Sequence, residues 1–221
     1  MIASAQSEPR RAHGGRLLVE IDALLKANHC DVSDIDVFAA SAGPGSFTGV
    51  RVGLATIRSL AWSNQRACTA LSTLDVLAHS VTTTGQWLSP VVDARKQEVY
   101  AALYSKREGK LQQILAPQAV APAEWLVRVE EYTQESVHYV GSGTVRYPEQ
   151  FASEMEQPMD VAPEATALAG LVFERMTTDG VAGLPPAIPC YIRASEAEVK
   201  FGKAPALDIE TQISAYDRSN R

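Results

Sequence analysis

The sequence predicts an α/β fold made of two lobes, and three features carry that prediction. Short apolar runs typical of buried strands alternate with amphipathic helical stretches, an order that favours helices packed on mostly parallel sheets. The break GQW, next to residue 88, interrupts that order. The length of 221 residues is enough for one large domain or two small ones. We therefore expect a first lobe at residues 1–88, a second lobe at 89–193 and a polar tail at 194–221.

In the first half of the chain, helices and short strands follow one another closely. RLLVEIDALLKANH carries apolar residues at helical spacing, which predicts a helix over Leu17–Leu25. Residues Ile35–Ala40 read as a short buried strand. After a glycine-containing loop, an apolar stripe with a serine at its start predicts a helix from Ser46 to about Ser63. ACTALSTLDVLAHSV then predicts a strand and a helix capped at Ser72 or Thr73.

The second half begins with a hairpin. VVDARKQEVYAALYS reads as two strands joined by a tight polar turn at Ala94–Gln97. A helix is expected to begin near Pro122, and a strand to end in a glycine turn at Gly141–Gly143. A further helix is expected to begin near Pro163 and to close at Gly180. PCYIR is expected to be a short extended segment.

Composition narrows the class of protein. The net charge of −6 and the pI of about 5.3 argue against a broad basic face that grips nucleic acid. No apolar run reaches the roughly 18 residues of a membrane span, and the N-terminus has no signal-peptide core, so a cytoplasmic location is expected. The three cysteines are far apart and include no CxxC pair, which favours packed thiols: Cys30, Cys68 and Cys190.

The glycine loop SAGPGSFTGVRVG does not match the known phosphate-binding loops. A Walker A loop needs a lysine that is absent after Gly49, and a dinucleotide loop needs its third glycine one place earlier. The strand–loop–helix context leaves weak anion binding at the helix N-terminus open. A nucleophilic elbow, GxSxG, is excluded because Pro44 precedes Ser46 by two positions. Capping of the helix explains Ser46 without any chemistry.

Metal and acid–base sites are not indicated. The histidines form no HxxxH or HExxH pair, which favours solvated or core positions for His13, His29, His79 and His138. Asp93 lies beside the predicted hairpin turn, where turn capping is commoner than catalysis. The pattern therefore predicts neither a catalytic residue nor a metal site.

Small residues in the second predicted helix suggest close helix packing. Gly53 would let another helix approach, and the two N-terminal helices together could present an apolar surface to a partner protein. The candidates for that surface are Leu17, Leu18, Ile21, Leu25, Val50, Gly53, Leu54 and Ile57. In the alternative interpretation, both apolar stripes face the protein's own core.

Four stretches resemble motifs of one protein family. AGPGSFTGVRVGLATIRSLA is similar to the signature of the TsaB (YeaZ) family, and ALSTLDVLA, VVDARKQEVYAALY and PCYIR resemble later motifs of that family in the same order. The resemblance covers about Arg11 to Arg193. Asp93 and Arg95 are the candidate site residues within the hairpin motif VVDARKQEVYAALY. The signature residues at the loop and helix start are Gly43, Pro44, Gly45, Ser46, Thr48 and Gly49.

The resemblance implies a fold and a function. It implies the ASKHA fold, in which each lobe is a ribonuclease-H-like unit, and a relation to TsaD. TsaD is the metal-carrying subunit that transfers a threonylcarbamoyl group to the adenosine beside the anticodon of tRNAs reading ANN codons. The two metal histidines of TsaD match Thr73 and Leu77 here, and neither can replace an imidazole.

The expected role is therefore that of a non-catalytic scaffold or activating subunit. The resemblance implies direct binding to TsaD, a complex that includes the ATPase TsaE, only indirect contact with tRNA, no cofactor, and a homodimer when TsaD is absent. The alternative is a stand-alone ASKHA enzyme, either a glycoprotease-like peptidase or an ATPase or kinase. The missing ligand pair and phosphate loop count against that alternative.

One departure from the family pattern affects the first lobe. The family begins with a strand hairpin similar to ILAIDTSTxxxSVAL, which this sequence does not contain. That hairpin includes the ASKHA aspartate of the family. We therefore expect a first lobe without its N-terminal strands and with unpaired backbone at a sheet edge.

Overall fold

Two sheets organise the protein in the computed structural model, which describes residues 1–6, 14–81, 86–107, 110–151 and 161–193. One sheet has two parallel strands and the other has four strands. We call the elements around the two-stranded sheet the first lobe and those around the four-stranded sheet the second lobe. Within the described ranges no helix is long and apolar enough to cross a membrane.

The first lobe is built from the first half of the chain. Its elements are α1 (Gly14–Ala27), a 3-10 turn (Val32–Asp34), β1 (Val37–Ser41), α2 (Phe47–Asn64), β2 (Ala67–Leu71) and α3 (Thr73–Ser80). β1 pairs with β2 in parallel, and no other described strand pairs with either of them. The sheet of the first lobe therefore has two strands among the described residues. We expected strands to be missing from this lobe, because the sequence does not contain the N-terminal hairpin of the family.

The second lobe is a sheet in the order β5-β4-β3-β6. Its pairs are antiparallel except for β3 and β6, which run parallel. The elements that follow α3 along the chain, some of which pack on the first lobe, are β3 (Trp87–Arg95), β4 (Glu98–Arg107), β5 (Lys110–Val120), α4 (Pro122–Glu130), β6 (Val137–Val140), α5 (Ser142–Arg146), α6 (Pro148–Phe151), α7 (Ala165–Asp179) and a 3-10 turn (Val181–Gly183).

The four-stranded sheet is covered on both faces. α4 packs Trp125, which is fully buried, into a cluster with Val91 and Leu103, and the indole Nε1 donates a 2.9 Å hydrogen bond to Ser89 Oγ. The other face packs against α3 of the first lobe, whose Leu74 lies with strand residues in a separate cluster. α3 therefore contributes buried residues to both lobes, because its Val76 packs in another cluster with Leu71 of β2.

α7 returns to the first lobe, although it lies inside the range expected for the second lobe. Its buried residues Leu168, Leu171 and Val172 pack with Leu71 and Val76. α7 therefore packs against both α3 and β1.

Most predicted elements are confirmed, with shifts at their ends. The predicted strand at 35–40 lies at Val37–Ser41, and the helix expected from Ser46 is α2, which ends at Asn64. β5 was not predicted, because LQQILAPQAV lacks alternation and contains a proline. Gly143, expected in a turn, lies in the short helix α5, and the PCYIR stretch forms neither helix nor strand. The predicted tail at 194–221 lies outside the described residues.

Candidate functional site

The signature loop joins β1 to α2 and turns sharply. Gly43 has φ +98°, a conformation that L side chains rarely adopt, and a Cβ there would lie 3.1 Å from the carbonyl oxygen of Cys190. The Gly43 carbonyl accepts a 2.8 Å hydrogen bond from the Thr73 amide at the start of α3. The loop is therefore fixed by close backbone contacts on two sides.

Ser46 caps α2, as the sequence predicts. Its Oγ accepts a 3.2 Å hydrogen bond from the Gly49 amide, which satisfies one of the free N–H groups of the first turn. Pro44 is buried, whereas Gly45 and Thr48 are exposed at the start of the helix. These signature residues shape the entry into α2.

The PCYIR stretch meets the signature helix. Tyr191 lies against Phe47, with ring centroids 5.6 Å apart, and its hydroxyl accepts a 2.9 Å hydrogen bond from Arg51 Nε. The Arg51 guanidinium lies 3.8 Å from the Phe47 ring centroid, within the range of a cation–π contact. Two motifs that are distant in sequence thus form one aromatic–arginine cluster at the first turns of α2.

The same stretch meets the hairpin motif. Arg193 pairs with Glu98, and its Nη1 donates a 3.4 Å hydrogen bond to the Ala94 carbonyl. Its guanidinium also lies 6.0 Å from the ring centroid of Tyr100. Three family motifs therefore come together at the junction of the lobes.

Asp93 stabilises the hairpin turn, in agreement with the capping interpretation. Its Oδ1 accepts a 2.9 Å hydrogen bond from the Arg95 amide, and its Oδ2 lies 3.7 Å from Arg95 Nε. Arg95, Lys96 and Gln97 all have positive φ, at 61°, 53° and 63°. Such a run of left-handed non-glycine residues is strained, so the contacts of Asp93 help to hold it.

A cleft of about 810 Å³ lies between the signature loop and the second lobe. Its charged lining side chains are Asp93, Arg95 and Arg146, and its hydroxyl groups include Ser46 and Ser142. Neighbouring tyrosines stay protonated at neutral pH. Burial raises the pKa of Tyr100, while desolvation and the nearby Asp93 carboxylate raise that of Tyr147.

Thr73 and Leu77, the two positions at which the family resemblance led us to expect no metal ligand, are packed in the interior. Leu77 is 1% exposed and belongs to the apolar cluster between α3 and the four-stranded sheet. Thr73 is buried beside the signature loop. In the described part of the chain, no three or more histidine, cysteine or carboxylate side chains come together as metal ligands.

The candidate partner surface divides into inward and outward residues. Leu54 and Ile57 are 4% and 9% exposed and pack in the first-lobe core, so on α2 the own-core alternative holds for these two residues. The other candidates retain solvent exposure: Leu17, Ile21, Leu25, Val50 and Gly53 are half-buried, and Leu18 is 53% exposed. α1 packs against α2.

Sequence reasoning missed two exposed apolar residues near that surface. Val19 of α1 is 64% exposed and Trp62 of α2 is 86% exposed. Both lie off the apolar stripes from which the candidates were selected. A large apolar residue on the polar side of an amphipathic helix was the signal that could have found them.

The chain is similar to known proteins over most of its length. The model of the family described as "TsaD: tRNA N6-adenosine threonylcarbamoyltransferase" matches residues 6–199. The "tRNA threonylcarbamoyladenosine biosynthesis protein TsaB" of Bacillus subtilis is 32% identical over 200 residues, which are 87% of this chain and 84% of that protein. The TsaB protein of Escherichia coli is 31% identical over 147 residues, 63% of this chain and 61% of that protein.

Solved structures show the same similarity. A Pseudomonas aeruginosa structure described as an uncharacterized protein with similarity to peptidase YEAZ superposes with a TM-score of 0.67 at 25% identity, over 83% of this chain and 85% of that chain. YeaZ from Pseudomonas aeruginosa gives a TM-score of 0.64 at 27% identity, over 82% of this chain and 84% of that chain.

Fold and site together define a two-lobed α/β protein of the ASKHA class, with a signature glycine loop at the lobe junction. Within that class, the chain belongs to the TsaB family.

Proposed function

We propose that the protein is a subunit of the machinery that makes threonylcarbamoyladenosine in tRNA, and that it acts as a non-catalytic scaffold for a TsaD-type transferase. The similarity to proteins named for this biosynthesis supports the pathway. The packing of Leu77, which matches a TsaD metal ligand, carries the non-catalytic role. A leucine side chain buried in an apolar cluster supplies no ligand to a metal ion.

The exposed apolar side chains of α1 support a role in protein binding. Every α1 side chain whose burial is described is exposed or half-buried. Leu18 and Val19 each expose more than half of their surface to solvent. Burying such residues against a partner adds a hydrophobic contribution of about 25 cal/mol for each Å² of apolar surface, which offsets part of the entropic cost of association. The α1–α2 pair is therefore the proposed docking surface for the transferase subunit.

The finer parts of the proposal concern the wider complex. TsaE takes part in that complex, tRNA is contacted only indirectly, and the work takes place in the cytoplasm. No cofactor of its own is needed for this role. The scaffold can pair with a second copy of itself when the transferase is absent.

Cells supply a direct test of the pathway. Bacillus subtilis cells depleted of their own TsaB would express this chain, and threonylcarbamoyladenosine would be measured by mass spectrometry of hydrolysed tRNA. We expect the modified nucleoside to return. Its continued absence, with the chain expressed and folded, would contradict the proposed pathway.

A second test addresses the alternative of a stand-alone enzyme that modifies tRNA or hydrolyses ATP without a partner. The purified chain would be incubated with tRNA, threonine, bicarbonate and ATP. We expect no modified nucleoside and no ATP hydrolysis above background. Robust turnover by the chain alone would overturn the scaffold role.

A further inference from the structure

We propose that residues 185–193 form a strap that holds the two lobes together and fixes the start of α2. In this proposal Tyr191 and Arg193 are positioning residues. The inference rests on contacts that this short segment makes with both lobes, and it goes beyond the proposed function because it names what orients the partner-binding helix.

The first half of the strap is fixed to the first lobe by backbone contacts. The Pro185 carbonyl accepts a 2.7 Å hydrogen bond from Thr69 Oγ1, a buried group of β2. The Cys190 amide donates a 2.8 Å hydrogen bond to the Ala42 carbonyl, directly after β1. Ile192 packs against the apolar cluster that contains Leu54 of α2. The strap is therefore part of the first-lobe core.

Tyr191 connects the strap to the outer side of α2. Its ring packs on Phe47, and its hydroxyl accepts the hydrogen bond from Arg51. Phe47 and Arg51 are one helical turn apart, so a single side chain restrains the first two turns of α2. These are the turns that follow the signature loop.

Arg193 connects the strap to the second lobe. The side chains of Arg193 and Glu98 are 28% and 38% exposed, so solvent screens their ion pair less than a fully exposed one. The hydrogen bond to the Ala94 carbonyl adds a contact at the hairpin turn. The strap thus joins α2 of one lobe to the β3–β4 hairpin of the other.

The strap lies beside the interlobe cleft. Phe47, Ala94 and Tyr100 line the cleft and also contact Tyr191 or Arg193. In this proposal, loosening the Arg193 end also loosens the Tyr191 end, so that both walls of the cleft and the start of α2 are affected together. Coupling of this kind distinguishes a strap from two unrelated surface contacts.

Hydrogen exchange of the full chain, read by mass spectrometry, tests that coupling. The variant Arg193→Glu places like charges at Glu98 and breaks the second-lobe end of the strap. We expect amides at 93–101 to exchange faster. Amides at 43–54, which lie in the first lobe, should also exchange about two- to fivefold faster. Faster exchange confined to 93–101 would overturn the proposal.

Two further variants separate the strap from general destabilisation. The charge exchange Glu98→Arg with Arg193→Glu restores an ion pair, so exchange at 43–54 should return to the parent rate. Arg128→Glu removes an α4 surface arginine that pairs with Glu124 and serves as the control, with no change expected at 43–54. Failure of the charge exchange to restore the rate, or an equal effect of the control, would also contradict the proposal.

A binding measurement connects the strap to the proposed function, on which this part rests. Tyr191→Ala, checked for folding by circular dichroism, should weaken calorimetric binding to the TsaD-type subunit about threefold or more, and Tyr191→Phe, which keeps the ring on Phe47, should weaken it less. Equal binding by folded Tyr191→Ala and parent would contradict the positioning role. If the parent itself does not bind, the proposed function fails, whereas the exchange experiment still decides on the strap.

Discussion

The Tyr104 hydroxyl donates a 2.6 Å hydrogen bond to Asp75 Oδ1, which joins β4 of the second lobe to α3 of the first. The second carboxylate oxygen of Asp75 lies 3.7 Å from Arg175 Nη2 on α7. Burial and the Asp75 carboxylate raise the pKa of Tyr104, so the hydroxyl keeps its proton and remains a donor. One carboxylate therefore links three elements inside the lobe junction.

Removing that hydroxyl should lower stability. We expect Tyr104→Phe to reduce the free energy of unfolding by about 1.5–3 kcal/mol, because a hydrogen bond to a charged acceptor is lost in a buried site. Urea denaturation followed by circular dichroism measures the change. Tyr100→Phe is the matched control, since Tyr100 lies on the same strand but is half-buried. An equal loss of unfolding free energy in both variants would show that the hydrogen bond to Asp75 does not stabilise the fold.

The signature glycine should tolerate no side chain. Gly43→Ala is expected to destabilise the protein by about 1–3 kcal/mol, because its φ of +98° is strained for alanine and the added Cβ meets the Cys190 carbonyl. Gly53→Ala provides the contrast. Its Cβ would meet nothing within 4 Å, and alanine in a helix interior is favoured over glycine by about 0.5–1 kcal/mol. Thermal unfolding should therefore move in opposite directions for the two variants, and a shift of the same sign would contradict the packing of the loop.

The buried thiol should make stability depend on pH. Burial, with a smaller effect of the Asp75 carboxylate, raises the pKa of Cys190 to about 11. Because the folded pKa lies above the unfolded value of about 8.5, the contribution of the thiol is fully present below pH 8.5 and is lost as the pH rises towards 11. The unfolding free energy of Cys190→Ala should fall less steeply than that of the parent between pH 8.5 and 10.5. Parallel pH profiles would show that Cys190 does not titrate differently on folding.

The thiols should also differ in reactivity. Cys30 and Cys68 are half-buried, whereas Cys190 is buried and has little thiolate at pH 8. We expect Ellman's reagent to modify Cys190 at least about tenfold more slowly than the faster of the other two. Peptide mapping after timed quenching would assign each rate, and fastest labelling at Cys190 would contradict its burial.

The proposed docking surface can be tested by one substitution on each side of it. Leu18→Glu puts a charge on a side chain that is 53% exposed, so the fold should survive while binding to a TsaD-type subunit weakens about tenfold, or about 1.4 kcal/mol. Gly53→Leu should act similarly by steric overlap. Calorimetry measures the binding, with circular dichroism as the folding control.

Leu54→Glu should behave differently, because Leu54 is 4% exposed and the charge would be buried without a partner. This variant should lose its fold and not only its binding. If folded variants at Leu18 and Gly53 both bind as tightly as the parent, the surface between α1 and α2 is not the interface.

Several elements could be predicted from the sequence because their causes are local. The cap at Ser46, the apolar stripe of α2 and the turn bond of Asp93 depend on residues within one or two turns of each other. The signature stretch is also local, and it was sufficient to identify the family. β5 was missed because an irregular strand containing Pro117 gains its pairing from β4, which only the folded sheet supplies.

The sequence by itself determined the family, the alternation of strands and helices, and the caps and turns that begin and end them. Only the tertiary structure decided that Leu54 and Ile57 face inward while Leu18 faces solvent. Both helices carry apolar residues at helical spacing, and the spacing alone does not say which of these residues another element covers. Only the tertiary structure brought Arg51 to Tyr191 and Arg193 to Glu98. Such contacts join residues that are far apart along the chain, and no local spacing encodes them, since they form only when the cores of both lobes are packed.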